Sequence, residues 1–234
     1  MGPLTALLVA TPLFGLALDI DSSLSDPPAV VIDPAVVLAL EISAELDSPE
    51  LEPSEPTTAD LIRKRNKIKK IHKNFGIATW SAMTVTVISG FIQFYNQYGW
   101  WDSQANNPCV RGTAVFGQRQ CSGVPAAHLA LGATTAALFF TTFGLSYAMP
   151  DPLNVSEGNS DFARKLRTHK ILRWVTFTGM LLQLGTGLVI ANPEWFGMDR
   201  ANNYNTLRAL ATTHLAIGLA TWGALTWQGA IMVF

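Results

Sequence analysis

Residues 74–98 read NFGIATWSAMTVTVISGFIQFYNQY, a stretch without a single charged side chain. A helix of about 20 apolar residues crosses a hydrocarbon core of ~30 Å, so this stretch is long enough to span a bilayer. Three further stretches of similar character follow at 125–149, 172–192 and 209–234. Membrane β-strands are about 10 residues long and alternate in polarity, which fits these stretches badly. The sequence therefore predicts an all-α fold, an integral membrane four-helix bundle.

Composition and charge divide the chain into two parts. Hydrophobic residues make up 49% of the chain and charged residues only 14%, which is far from the average of soluble proteins. The segment 20–61 is acidic and contains six prolines, so it buries too little apolar surface to offset the entropy lost on ordering. We predict a disordered acidic arm there, either a solvated linker or a dock for a basic partner, followed by a membrane domain at 62–234.

The first 19 residues allow three interpretations. An apolar run at 4–18 ends in small residues and has the size of a signal-peptide core, but no basic residue precedes it. Residues 1–19 are therefore a cleaved signal peptide, an uncleaved N-terminal membrane anchor, or a loosely bound apolar tail.

Positive charges predict the orientation in the membrane. Twelve of the sixteen Lys and Arg residues lie before the first span or between the second and third spans. Because cytoplasmic loops are enriched in Lys and Arg, this face is predicted to be cytoplasmic, in a bacterial inner membrane or an equivalent membrane. The opposite loop contains the two cysteines of the chain, Cys109 and Cys121, either as a disulfide formed in an oxidising compartment or as unpaired thiols.

Four histidines provide the main functional clue, because each lies at or near the start of a different span. An offset of 97 residues superposes His72 on His169, and an offset of 86 superposes HLALG, from His128, on HLAIG, from His214. The chain thus contains two copies of one helical hairpin, related by a pseudo-twofold axis along the membrane normal. His72 and His169 are predicted to lie near the basic face, and His128 and His214 near the other.

Histidine pairs of this kind can hold a haem. An imidazole inside a bilayer normally faces the bundle interior and has a partner, and bundle cofactors are bound by facing side chains. An iron with both axial positions filled by histidine transfers electrons rather than binding oxygen. Three glycines lie one helical turn from a histidine and are predicted to leave room for a porphyrin edge: Gly76, Gly132 and Gly218. Three basic residues are predicted to neutralise the haem propionates: Lys73, Lys170 and Arg173.

At this point the chain resembles the cytochrome b561 type of membrane electron carrier, from about residue 70 to residue 234. The resemblance rests on His72, His128, His169 and His214 and on their distribution over four helices. It implies two b-type haems, one held by His72 with His169 and the other by His128 with His214. The ascorbate-binding groups of some family members have no match here. The motif C-x-x-C-H is also missing from the sequence, so covalent haem attachment is not expected.

The expected function is transmembrane electron transfer, and the protein would count as an enzyme only as a membrane oxidoreductase. The expected partners are the lipid bilayer and a soluble or membrane-bound electron donor and acceptor, while nothing indicates nucleic acid. The main alternative is a haem-free membrane subunit that scaffolds a larger complex or senses redox state through its thiols. A weaker alternative is copper or another ion at the histidines.

Overall fold

The computed structural model describes residues 55–121 and 125–233, which form one compact unit. Within them the chain folds into four long helices: α1 (Thr58–Tyr98), α2 (Ala126–Ala148), α3 (Asp161–Ala191) and α4 (Tyr204–Ala230). The remaining elements are single helical turns, and none of the described residues forms a strand. The prediction of an all-α fold is therefore confirmed. The predictions for residues 1–19 and for most of the acidic arm lie outside the described residues.

Three of the four helices, α1, α2 and α3, are long and apolar enough to cross a membrane. Helix α4 has sufficient length, but it contains Thr212, Thr213 and His214 near the start of its apolar stretch and is not among the three. The chain thus has the character of a membrane protein. Helix α1 has 41 residues and a length of about 60 Å, roughly twice a hydrocarbon core. Its basic N-terminal part therefore extends beyond the apolar stretch.

Local capping sets where the long helices begin and end. Thr57 and Asp60 form a reciprocal capping box at the start of α1, so residues 58–61, assigned above to the acidic arm, are its first turn. The helix ends at Gly99, whose φ of 51° places it in the left-handed region that glycine adopts at low cost. Ser160 caps α3 by accepting a hydrogen bond from the backbone N–H of Ala163.

The helices pack as two hairpins side by side. Helix α1 pairs closely with α2, and α3 pairs equally closely with α4. Helix α1 also packs against α4, so α1 and α3 lie on one diagonal of the arrangement and α2 and α4 lie on the other. Halfway along the helices the interior is filled by a buried cluster of Met83, Ala136, Phe139 and Met180. Met83 and Met180 are equivalent positions of the two repeats.

Candidate functional site

The four predicted histidines form two pairs across the diagonals. The rings of His72 on α1 and His169 on α3 have their centroids 6.3 Å apart, with ring planes at 72°. The rings of His128 on α2 and His214 on α4 have the same centroid separation, 6.3 Å, with planes at 76°. We call them the basic-end pair and the disulfide-end pair. About 17 residues of α1, or ~25 Å, separate the two levels.

Every histidine ring is fixed through its Nδ1 atom. Nδ1 of His72 lies 3.0 Å from the carbonyl oxygen of Thr142, and Nδ1 of His169 lies 3.0 Å from the carbonyl oxygen of Gln228. A carbonyl oxygen only accepts hydrogen bonds, so both Nδ1 atoms must donate. In a neutral imidazole this leaves Nε2 as the nitrogen with an available lone pair.

Hydroxyl groups give the disulfide-end pair the same tautomer. Nδ1 of His128 lies 2.8 Å from Oγ of Ser89, and Nδ1 of His214 lies 2.8 Å from Oγ1 of Thr186. Both hydroxyls already donate to backbone carbonyls of their own helices, at 2.8 Å for Ser89 and 2.7 Å for Thr186. Their protons are thus committed, and each oxygen accepts from the imidazole. Nε2 again carries the available lone pair.

The hydrogen-bond partners obey the same repeat as the histidines. Ser89 and Thr186 are separated by the offset of 97, and Thr142 and Gln228 by the offset of 86. Sequence reasoning aligned the histidines and missed these partners, although the same two offsets point to them. The duplication therefore extends from the rings to the groups that orient them, as is usual around metal-binding histidines.

Two glycines lie directly against the disulfide-end pair. A Cβ atom added to Gly90 would lie 3.2 Å from Cε1 of His128, and one added to Gly187 would lie 3.2 Å from Cε1 of His214. The offset of 97 makes these two glycines equivalent positions of the repeat. The structure adds that they leave space for the imidazoles of the neighbouring helix.

A cavity of about 540 Å³ encloses the disulfide-end pair, within the range of ~300–1,000 Å³ typical of cofactor sites. Its lining includes both rings of the pair and the predicted glycines Gly132 and Gly218. A Cβ on Gly132 would meet nothing within 4 Å, so this glycine leaves open space as expected. A Cβ on Gly218 would lie 3.3 Å from Oε1 of Gln183, so that glycine also accommodates a neighbouring side chain.

Arg173 is the outstanding group near the basic-end pair. It lies one helical turn from His169 and is close to both rings of the pair. Its Nη1 donates to Ser146 at 3.1 Å and its guanidinium lies 4.3 Å from the ring centroid of Tyr147, but its buried Nε has no hydrogen-bond partner. No salt bridge within residues 55–121 and 125–233 involves Arg173. This half-buried guanidinium thus has no anionic partner among the described residues.

The other predicted contacts at the basic end are less direct. Lys73 is exposed, and Lys170 donates to the hydroxyl of Ser156 at 2.8 Å in the loop between α2 and α3. Gly76 faces α2, where an added Cβ would lie 4.0 Å from Cγ2 of Thr142. The structure thus brings Arg173 to this pair more clearly than the two lysines.

At the other end of α1, Cys109 and Cys121 form a disulfide. The loop that contains it is attached to α1 by Asn96, which is fully buried and exchanges hydrogen bonds with the backbone of Val115. Gln93, which lines the cavity, donates to the carbonyl of Gln120 at 3.1 Å. The disulfide loop therefore lies beside the disulfide-end pair.

The ring-centroid spacing of both pairs matches the spacing expected for two histidines bound to one iron. With each iron–nitrogen bond at about 2 Å and each nitrogen about 1.1 Å from its ring centre, the centroids would be about 6.2 Å apart. The observed separation of 6.3 Å agrees with this value at both ends. The described residues contain no group of three or more His, Cys, Asp or Glu side chains able to hold a metal ion by themselves. The donor set thus fits a macrocycle that supplies the other ligands.

Comparisons with known proteins found no matching family model, no matching curated protein and no matching solved structure.

Proposed function

We propose that the protein is a membrane electron carrier with two b-type haems, each bound by one of the two histidine pairs in a four-helix transmembrane bundle. The observation that carries this proposal is the common geometry of the pairs. Two separate pairs of imidazoles have the same 6.3 Å spacing, and all four rings have their Nδ1 atoms in hydrogen bonds. Ordinary helix packing gives no reason for this combination to occur twice.

In this proposal the histidines bind the haem iron, and a basic residue neutralises the charge of a haem propionate. The Nε2 atoms of the four histidines provide the axial ligands, and the Nδ1 hydrogen bonds fix the ring orientation and increase the basicity of the ligands. At the basic end, Arg173 provides the cation for a propionate, which also gives its unpartnered Nε an acceptor. Iron with two axial histidines supplies one-electron transfer and has no free position for oxygen.

Two sites at different depths provide a route across the bilayer. The buried cluster around Met83, Phe139 and Met180 fills the space between the two levels and excludes water from it. Electrons then pass between a donor at one face and an acceptor at the other. The basic end is proposed to face the cytoplasm and the disulfide end an oxidising compartment, in accordance with the charge distribution and with Cys109–Cys121.

The test is the absorption spectrum and haem content of the purified protein. We expect a reducible b-type spectrum and two extractable haems per chain in the wild type, and one haem per chain in His128→Leu. An exposed surface variant, Ser81→Ala, is the matched control and should retain both haems. A wild-type protein that binds no haem when it is expressed with a haem supply would refute the proposal and favour the haem-free scaffold.

A further inference from the structure

The two seams between the hairpins differ, although the repeat makes them equivalent. The pseudo-twofold axis exchanges the seam between α1 and α4 with the seam between α3 and α2. The backbones of α1 and α4 approach closely along their length, whereas those of α2 and α3 make few close approaches. The bundle is therefore closed on one side and open on the other.

Hydrogen bonds between side chains explain why the first seam is closed. Nε1 of Trp80 on α1 donates to Thr226 on α4, and Nε1 of Trp222 on α4 donates to Thr84 on α1, each at 3.0 Å. Such bonds between helices contribute about 1 kcal/mol in a membrane, and two of them fix this seam.

The second seam lacks the groups for these bonds. The repeat offsets place Phe177, Phe140, Leu181 and Ala136 at the equivalent positions. None of these side chains has a hydrogen-bonding group. The Phe140 and Phe177 rings pack edge to face with centroids 6.1 Å apart, so aromatic side chains separate α2 from α3 in the basic half.

In the disulfide half the open seam leads directly into the cavity. Leu129, Leu184 and Leu188 line the cavity and are also 54%, 42% and 49% exposed on the outside of the bundle. Ala133 also lines the cavity and is exposed. These residues border an opening that faces the hydrocarbon of the bilayer, because this part of α2 and α3 belongs to their apolar stretches.

Residue size distinguishes the two seams at this level. The small Ala133 on α2 corresponds to Leu219 on α4, and Leu188 on α3 corresponds to Phe91 on α1. The closed seam thus has the larger side chain at both positions.

We infer that the seam between α2 and α3 is the entrance through which porphyrin passes from the bilayer into the disulfide-end site. The inference rests on the proposed function. A porphyrin is flat and apolar with a charged edge, and an apolar slit beside a histidine pair suits such a molecule. The polar amides of Gln93, Gln97 and Asn192 line the same cavity and can interact with the charged edge.

The experiment gives the open seam the side chains of the closed one. The variant Ala133→Leu/Leu188→Phe copies the residues at positions 219 and 91. Ala137→Leu/Leu182→Phe is the matched control, because both positions are exposed on the same two helices and do not line the cavity. Protein prepared without haem in lipid nanodiscs is mixed with haemin, and uptake at each site is followed by absorption. Release is measured separately by transfer of haem to a soluble haem-binding protein.

We expect the seam variant to slow both uptake and release at the disulfide-end site by about tenfold, the effect of raising a barrier by about 1.4 kcal/mol, while the control stays at the wild-type rate. A narrower entrance slows the uptake and the release of haem by the same factor and leaves the affinity unchanged, whereas a lost contact to bound haem would change the affinity. The basic-end site reports correct folding in every sample.

Unchanged rates in the seam variant would overturn the entrance while leaving the proposed function intact. Equal slowing in the variant and the control would also overturn it. If the wild type takes up no haem at either site, the proposed function fails, and the entrance fails with it.

Discussion

The two histidine pairs have the same ring spacing but different surroundings. The repeat relates the two rings within each pair and not one pair to the other, so the comparison shows what the two ends share independently of the duplication. At the basic end the rings donate to backbone carbonyls and Arg173 lies close by. At the disulfide end the rings donate to side-chain hydroxyls within a cavity lined by apolar groups and amides. The two ends thus share paired imidazoles and the same tautomer, while the charge near each pair differs.

This difference has an electrical consequence for a pair of haems. A cation close to an iron disfavours its oxidised, more positive state, so the basic-end haem is expected to have the higher reduction potential. Electrons would then move more readily from the disulfide end towards the basic end. Four sets of variants test or refine the comparison.

Removal of a ligand should have the largest effect. His169→Leu is expected to abolish haem binding at the basic end and leave the disulfide-end haem in place, because the pairs are separated by ~25 Å along α1. Ligands of one pair act as a unit, so His72→Leu/His169→Leu should also lose one haem, whereas His72→Leu/His128→Leu should lose both. Haem extraction measures these outcomes, and loss of both haems in the single variant of a folded protein would contradict the assignment of two independent pairs.

Removal of the hydroxyl acceptors should weaken the disulfide-end site selectively. In Ser89→Ala or Thr186→Val the Nδ1–H group of a proposed ligand loses its acceptor, and loss of such a hydrogen-bond partner of a ligand typically costs about 10–100-fold in metal affinity. Haem affinity at each site, measured by titration, should fall only at the disulfide end.

Thr141→Val is the control for the hydroxyl variants, because Thr141 is exposed and bonds only within its own helix. The basic-end pair cannot be altered in this way, since its acceptors are backbone atoms. Unchanged affinity in both hydroxyl variants would show that the rings do not need these acceptors.

Removal of the Arg173 charge should lower the reduction potential of the basic-end haem alone. In Arg173→Gln the oxidised iron loses a nearby positive charge, so we expect a decrease of several tens of mV, where about 59 mV is a tenfold change for one electron. Redox titration of each haem measures this shift. Arg173→Lys retains the charge and should retain most of the potential, and an equal shift at both haems would contradict a local effect.

Most of the fold could be predicted from the sequence, because hydropathy and the repeat can both be read directly along the chain. The four apolar stretches correspond to the four long helices, and the offsets of 97 and 86 predicted which helices face each other. The start of α1 was placed too late because the capping box at Thr57 lies in an acidic segment that reads as disordered. Capping depends on single side chains, which a compositional argument averages out.

Only part of the site could be predicted from the sequence, for a related reason. Histidine is rare in this chain and therefore conspicuous, whereas Ser89 and Thr186 are ordinary residues of helices rich in Ser and Thr. Their role depends on where the rings point. The difference between the closed and the open seam depends on pairs such as Trp80 and Thr226 that are 146 residues apart, and periodicity within one helix carries no information about them.

The smallest effect is expected at the two glycines beside the disulfide-end rings, which have no counterpart against the basic-end pair. In Gly90→Ala or Gly187→Ala the new methyl group lies 3.2 Å from Cε1 of the ring, so the ring must move by a few tenths of an ångström. The haem should still bind, with a shift in the low-spin electron paramagnetic resonance signal that reports the angle between the axial ring planes. The basic-end signal should stay unchanged.

Gly185→Ala separates this contact from a general effect of alanine. An added Cβ there meets nothing within 4 Å, so the variant should stabilise α3 by up to about 1 kcal/mol through helix propensity and leave both signals unaltered. If Gly187→Ala leaves the disulfide-end signal unchanged, as Gly185→Ala is expected to do, the new methyl group does not displace the ring of His214. The close contact between this ring and the backbone would then not help to orient the ring. A shift only in the Gly90 and Gly187 variants would show that backbone proximity, together with the hydroxyl acceptor, sets the ring angle at the disulfide end.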